Sequence, residues 1–236
     1  MRPVCDQGGG HGPPTLQLEG VGLEIHGHRP LWGVDVTIEV GVPVVVTGPS
    51  GSGKTLLCMV LAGLIKPTTG EILFGARPFT DGPATPRVGL VLQDHGLVSG
   101  LTALENVALP LQERRMSPSE IIERSRRALG RVGLVDEADR LVDELSGGER
   151  QRVGIARGIA GDPVVLVADE PTSELDPENR ERVLRLLVDE SKSVSIVVVA
   201  SDDPEVAKHF ERVFVLGDGT VSERRNEGPE PEGAED

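Results

Sequence analysis

Eight consecutive residues, Gly48-Pro49-Ser50-Gly51-Ser52-Gly53-Lys54-Thr55, follow the pattern G-x-x-x-x-G-K-[ST]. Glycines at those positions let backbone N–H groups turn inward on phosphate oxygens. A helix starting near Gly53 points its positive dipole end at the same anion. Lys54 is placed to neutralise β- and γ-phosphate charge, and Thr55 offers a hydroxyl to magnesium, so the ligand this loop is built for is ATP with Mg2+. A second pair of groups suits the same chemistry. The apolar run Val164-Val165-Leu166-Val167-Ala168 ends in Asp169-Glu170, which puts two carboxylates at the carboxyl end of a buried strand, where ligands collect in open α/β sheets. Asp169 is expected in the magnesium shell and Glu170 is expected to polarise the attacking water.

A third constellation is Leu145-Ser146-Gly147-Gly148-Glu149-Arg150-Gln151-Arg152. Ser146 followed by Gly147 and Gly148 at a helix start makes a second anion-binding tip, with a hydroxyl and bare N–H groups expected to face outward.

These groups need a framework. Val42 to Thr47, Val88 to Leu92, Val164 to Ala168 and Val194 to Ala200 are nearly continuous apolar runs, as expected of strands covered by helices on both faces. Leu16 to Val40 instead alternates, as in Val34-Asp35-Val36-Thr37-Ile38-Glu39-Val40, which suits half-exposed antiparallel strands. Leu56 to Ile65 reads as the helix after the phosphate loop. Helices are also expected over Leu101 to Arg115 and over Pro118 to Gly130, the second capped by Ser117 with Glu120 completing a capping box. Asp176 and Pro177 open another over Glu178 to Ser191, and Gly217-Asp218-Gly219 reads as a hairpin turn. The expected fold is an α/β P-loop core with a mostly parallel sheet, an antiparallel β subdomain near the start and an inserted helical subdomain from about 94 to 160. The expected boundaries are a flexible leader over 1–14, one ATP-binding domain over 15–224 and an acidic disordered tail over 225–236.

With 38 acidic against 24 basic residues, the formal net charge is −14. That weighs against a nucleic-acid partner. The apolar runs have the length of strands, well short of the ~20 residues that cross a bilayer, so any membrane role must come through another protein. With no apolar segment and cleavage site in the leader, the expected location is cytoplasmic. Of the two cysteines, Cys58 sits in the apolar helical run and Cys5 in the leader, and neither supports a metal or disulfide framework.

The phosphate loop, the Ser146 segment and Asp169-Glu170, in that order along the chain, closely resemble the ATP-binding subunits of ABC (ATP-binding cassette) transporters over about Thr15 to Arg224. The resemblance implies a head-to-tail dimer in which Ser146, Gly147 and Gly148 reach the γ-phosphate bound to a second cassette, identical or not. It implies an integral membrane permease as the other partner, and a place at the inner face of the cell membrane. Gln93 matches the family's glutamine loop, which touches magnesium or the water and moves with the helical subdomain. Ser173-Glu174-Leu175-Asp176 matches the loop that crosses the dimer interface. His26 is the candidate for the aromatic position that stacks on adenine, where the family more often has tyrosine, the alternative being a partly exposed strand-end histidine. Leu97 to Leu111, with Ala168-Asp169-Glu170-Pro171-Thr172, looks like the lipoprotein-release and macrolide-export branch.

One position departs from the family. After the last core strand the chain reads Ser201-Asp202-Asp203-Pro204, which puts Asp202 where a histidine contacting the γ-phosphate is usual. An imidazole donates to phosphate, whereas an ionised carboxylate only accepts and repels it. Alongside a transporter ATPase, two further readings therefore stand: a hydrolysis-impaired regulatory or degenerate subunit that still binds ATP, and a non-transport member of the family.

Overall fold

The computed structural model describes residues 14–79, 87–114, 116–192 and 196–226. The leader apart from Pro14, Cys5, the expected helix end at Arg115, the expected strand start at Val194, and the acidic tail beyond Asn226 lie outside the described residues.

The alternating N-terminal stretch folds as β1 (Thr15–Ile25) and β2 (His28–Glu39), paired antiparallel. With β4 (Thr69–Phe74) and β5 (Arg77–Pro78) they form a four-stranded sheet in the order β2-β1-β4-β5. The β4–β5 pair is absent from the expectations above, because Thr69 to Phe74 carries only a short apolar stretch, Ile72 to Phe74. Its place is fixed by registry with β1, with Ile72 opposite Leu18 and Phe74 opposite Leu16.

A second sheet runs in the order β10-β9-β3-β8-β7-β6. It consists of β3 (Val44–Thr47), β6 (Val88–Val91), β7 (Val165–Asp169), β8 (Ile196–Ala200), β9 (Arg212–Gly217) and β10 (Thr220–Arg225). All neighbours are parallel except β10, which closes the edge as an antiparallel hairpin through Asp218 and Gly219, both at positive φ. The continuous apolar runs are explained by what each face meets. In β7, Val165 and Val167 join one core while Leu166 and Ala168 join the other, and in β8 Ile196, Val198 and Ala200 divide in the same way from Val197 and Val199. Both faces are covered, so the positions from Val165 to Ala168 and from Ile196 to Ala200 are all apolar.

One face of this sheet is covered by α1 (Lys54–Leu61) and the antiparallel sheet. The other is covered by α2 (Ala103–Gln112), α3 (Pro118–Arg131), α4 (Gly147–Ile159) and α5 (Pro177–Lys192), with α6 (Pro204–Ala207) at its margin. Helices α2 to α4 all lie between β6 and β7 in the chain. The capping box of Ser117 and Glu120 on α3 forms as expected, and Thr102 with Glu105 makes another on α2. Helix α1 stops at Leu61, four residues before the end of its apolar run, with Gly63 at positive φ just beyond it.

Candidate functional site

Four neighbouring strands end on one crevice. The carboxyl end of β3 carries the phosphate loop, β8 delivers Ser201 and Asp202, β7 delivers Asp169 and Glu170, and β6 leads into Gln93. Their spatial order, β3-β8-β7-β6, gathers segments more than a hundred residues apart. The result is a cleft of about 340 Å3 lined by Ser50, Gly51, Gly53, Lys54, Thr55, Leu56, Gln93, Asp169, Glu170, Ser173 and Asp202.

The loop conformation demands its glycines. Gly48 has φ 151° and any Cβ there would run into the Leu216 carbonyl, while Gly53, at φ 105°, would press one against the Pro30 carbonyl. Lys54, the first residue of α1, folds back so that Nζ donates to the carbonyl of Gly48 at 2.8 Å and to that of Pro49 at 3.4 Å. The Ser52 hydroxyl is buried without a hydrogen-bond partner.

Asp169 is almost fully buried, and its Oδ1 has no partner. Burial pushes its carboxyl above the ordinary aspartate range, and a hydrogen bond from Thr55 and the charge of Lys54 pull it partly back. A buried carboxylate oxygen without a partner, beside a threonine hydroxyl and a glutamine, is a set of hard oxygen donors that fits Mg2+.

Glu170 sits in the left-handed region with φ 45°, a conformation that non-glycine residues adopt rarely and at a cost. Its carboxylate is clamped at both oxygens: the Ser201 hydroxyl donates to Oε2 at 2.9 Å and the Asp202 N–H to Oε1 at 3.0 Å. Burial raises its pKa, these two bonds oppose the rise, and the Asp202 carboxylate adds to it. Ser201 and Gln151, which touches the Glu170 backbone, carry no role in the sequence reading. The signal for Ser201 was available, since a serine follows directly on so apolar a strand.

The remaining expected residues lie elsewhere. Ser146 to Gly148 caps α4 and is not part of the cleft lining. Ser146 is exposed, and its hydroxyl and N–H both donate to Glu149 Oε2 at 2.8 Å, closing a capping box within the chain. His26 occupies the exposed β1–β2 turn at φ 50° and is also absent from the cleft lining.

Residues 31–173 match the family model described as "ABC transporter". The chain is an ATP-binding cassette of the ABC transporter family. The cassette is 38% identical over 205 residues to the methionine import ATP-binding protein MetN of Brucella abortus (strain 2308), an alignment that takes in 84% of this chain and 55% of that protein. It is 40% identical over 199 residues to the Fe(3+) ions import ATP-binding protein FbpC 1 of Rhizobium meliloti (strain 1021), covering 83% and 56%. The chain thus spans about half the length of these curated relatives. Among solved structures, the ATP-binding cassette MJ0796, in a dimeric post-hydrolysis state bound to ADP and Pi, matches with a TM-score of 0.82 at 33% identity, covering 91% of this chain and all of that one. CbiO1 from Clostridium perfringens, part of the ABC transporter complex CbiONQ, matches with a TM-score of 0.77 at 28% identity, covering 89% and 88%. The two curated relatives are named for import, so they lend no support to the lipoprotein-release and macrolide-export reading of Leu97 to Leu111.

Proposed function

We propose that this cassette binds ATP with Mg2+ on Gly48 to Thr55, hydrolyses it through Glu170, and uses ATP-driven pairing with a second cassette to energise a separate membrane permease. The observation that carries this reading is the convergence of four strand ends on one cleft, where the phosphate loop faces Asp169, Glu170 and Gln93. The N–H groups of the loop and the N-terminus of α1 bind the phosphates, and Lys54 moves from the Gly48 and Pro49 carbonyls to the β- and γ-oxygens. Thr55, Asp169 and Gln93 would hold the magnesium ion, which supplies neutralisation of phosphate charge when bound. Glu170, whose ionised form is favoured by the Ser201 hydroxyl and the Asp202 N–H against the effect of burial, orients and polarises the attacking water.

The cassette of MJ0796 is dimeric, and CbiO1 belongs to a complex with other subunits. By that likeness Ser146, Gly147 and Gly148 close over the ATP of the second cassette, with the Ser146 hydroxyl exchanging Glu149 for a γ-phosphate oxygen. No helix among the described residues is long and apolar enough to cross a membrane. In this reading a permease partner places the cassette at the inner face of the membrane.

A slower-turning subunit is the second reading, and Asp202 in the cleft wall is what favours it. Sedimentation of the Glu170→Gln chain tests the pairing step. With ATP and magnesium it should shift from monomer to dimer, and a chain that stays monomeric at saturating ATP contradicts the proposal.

A further inference from the structure

The N-terminal turn of helix α4, Ser146 to Gly148, does not line this chain's own cleft, yet Gln151, five residues beyond Ser146, grips the turn that carries Glu170. Gln151 is a fully buried polar side chain, 0% exposed, in the wall between α4 and the segment after β7. Its Nε2 donates to the Glu170 carbonyl at 2.9 Å, and its Oε1 accepts from the Glu174 N–H at 3.3 Å. The Ser173 hydroxyl lies within reach of both ends of this bridge, 3.5 Å from Gln151 Oε1 and 3.2 Å from the Glu170 carbonyl. One primary amide thus satisfies a backbone acceptor and a backbone donor four residues apart. A glutamine meets that demand because its amide carries a donor and an acceptor on one planar group.

The grip matters because of what it holds. Glu170 is in a left-handed conformation that costs free energy and persists only when its surroundings over-determine it. At its far end the carboxylate is fixed by Ser201 and the Asp202 N–H, which hang from β8. At its near end the main chain is fixed by Gln151, which hangs from α4. The same helix face packs against the Glu174 side chain at Gly147, where a Cβ would collide with the Glu174 carboxylate.

We propose that Gln151 is a positioning residue for Glu170, setting the main-chain geometry of the catalytic turn and tying it to the helix that carries Ser146. The role rests on the ATPase reading given above. Because Gln151 touches neither the phosphate loop nor its lysine, its loss acts on turnover and spares nucleotide affinity.

The test uses the full chain with Gln151→Met, which keeps length and buried volume but has no donor and only a weak acceptor. The expected kcat for ATP falls on the order of 10- to 100-fold, the loss that follows from misplacing a catalytic group by about 1 Å. The ATP dissociation constant is expected to stay within about twofold, because no phosphate contact is altered. In a Glu170→Gln background the same change is expected to cost little further activity, since the group it positions is already disabled. Gln151→Asn, one methylene too short to span both backbone groups, repeats the measurement in case the methionine chain does not fold. A normal kcat in the folded variants, a loss of ATP affinity equal to the loss of turnover, or additive losses with Glu170→Gln each overturn the positioning role. A wild-type chain that binds ATP and releases no phosphate overturns the ATPase reading beneath it.

Discussion

The Ser201 hydroxyl donates to Glu170 Oε2 across 2.9 Å, joining the end of β8 to the end of β7 at the point where chemistry is proposed. Ser201 is itself buried, and its Oγ also accepts the Asp203 N–H at 3.2 Å, which fixes the direction of the remaining proton toward Glu170. The bond favours the ionised carboxylate and so opposes the effect of burial. Ser201→Ala therefore raises the pKa of Glu170. In the proposed mechanism the carboxylate is the active form, so the acid limb of the pH–rate profile is expected to move to higher pH and turnover near neutrality to drop by roughly two- to tenfold. A profile of kcat against pH in which the limb stays in place or moves down contradicts the assignment.

Asp202 acts on the same carboxylate with the opposite sign. Its backbone N–H stabilises ionised Glu170 and survives any substitution except proline, while its side-chain charge raises the Glu170 pKa. Asp202→Asn removes only the charge, so the acid limb moves to lower pH, by a few tenths of a unit for an exposed, solvent-screened group. Asp202→His goes further and adds a donor facing the γ-phosphate position. Turnover is expected to rise, by about tenfold or more if that contact acts as other positioned donors do. Equal rates for the wild-type and histidine chains, measured with the membrane partner present, would show that Asp202 does not limit hydrolysis.

Lys54 separates binding from chemistry. Its ammonium is parked on two loop carbonyls and has a phosphate as its natural replacement partner. Lys54→Met is expected to weaken ATP binding by about 100-fold or more, the loss of one charge-assisted contact in a partly buried site. Titration with a fluorescent ATP analogue measures this, and an unchanged dissociation constant would place the nucleotide elsewhere.

The seam between β6 and α4 has no room to spare. A methyl group on Gly89 would collide with the carbonyl of Gly158 on α4, a backbone atom that cannot turn aside. Gly89→Ala is expected to cost on the order of 1–3 kcal/mol, the usual range for overpacking in a close-packed interior. Urea unfolding of the two chains gives the difference, and a loss below ~0.5 kcal/mol would mean that α4 shifts freely on the sheet.

Much of this was legible in the residues. The apolar runs of β3, β6, β7 and β8 announce a sheet buried on both sides because each position must meet one core or the other. The phosphate loop is legible because glycine, lysine and threonine have nearly fixed tasks there. Strand β4 escaped notice because its partner is β1, fifty residues earlier, and pairing across such a distance leaves no local period. Gln151 was in view, inside the Ser146 segment, but a glutamine on a helix is ordinarily a surface residue. Only the fold reveals that it is buried and that it bonds the Glu170 carbonyl and the Glu174 N–H. Ser146 shows the reverse limit: its type and place predict an anion site, whereas its present partner is Glu149 of the same helix.

Phosphate release from ATP by the purified full chain, compared with its Glu170→Gln variant, tests the central claim most directly. The wild-type chain is expected to release phosphate in the presence of magnesium, and the variant to bind ATP with similar affinity while releasing it at least about 100-fold more slowly. Equal rates in the two chains, or none in a wild-type chain that binds ATP, would contradict hydrolysis through Glu170.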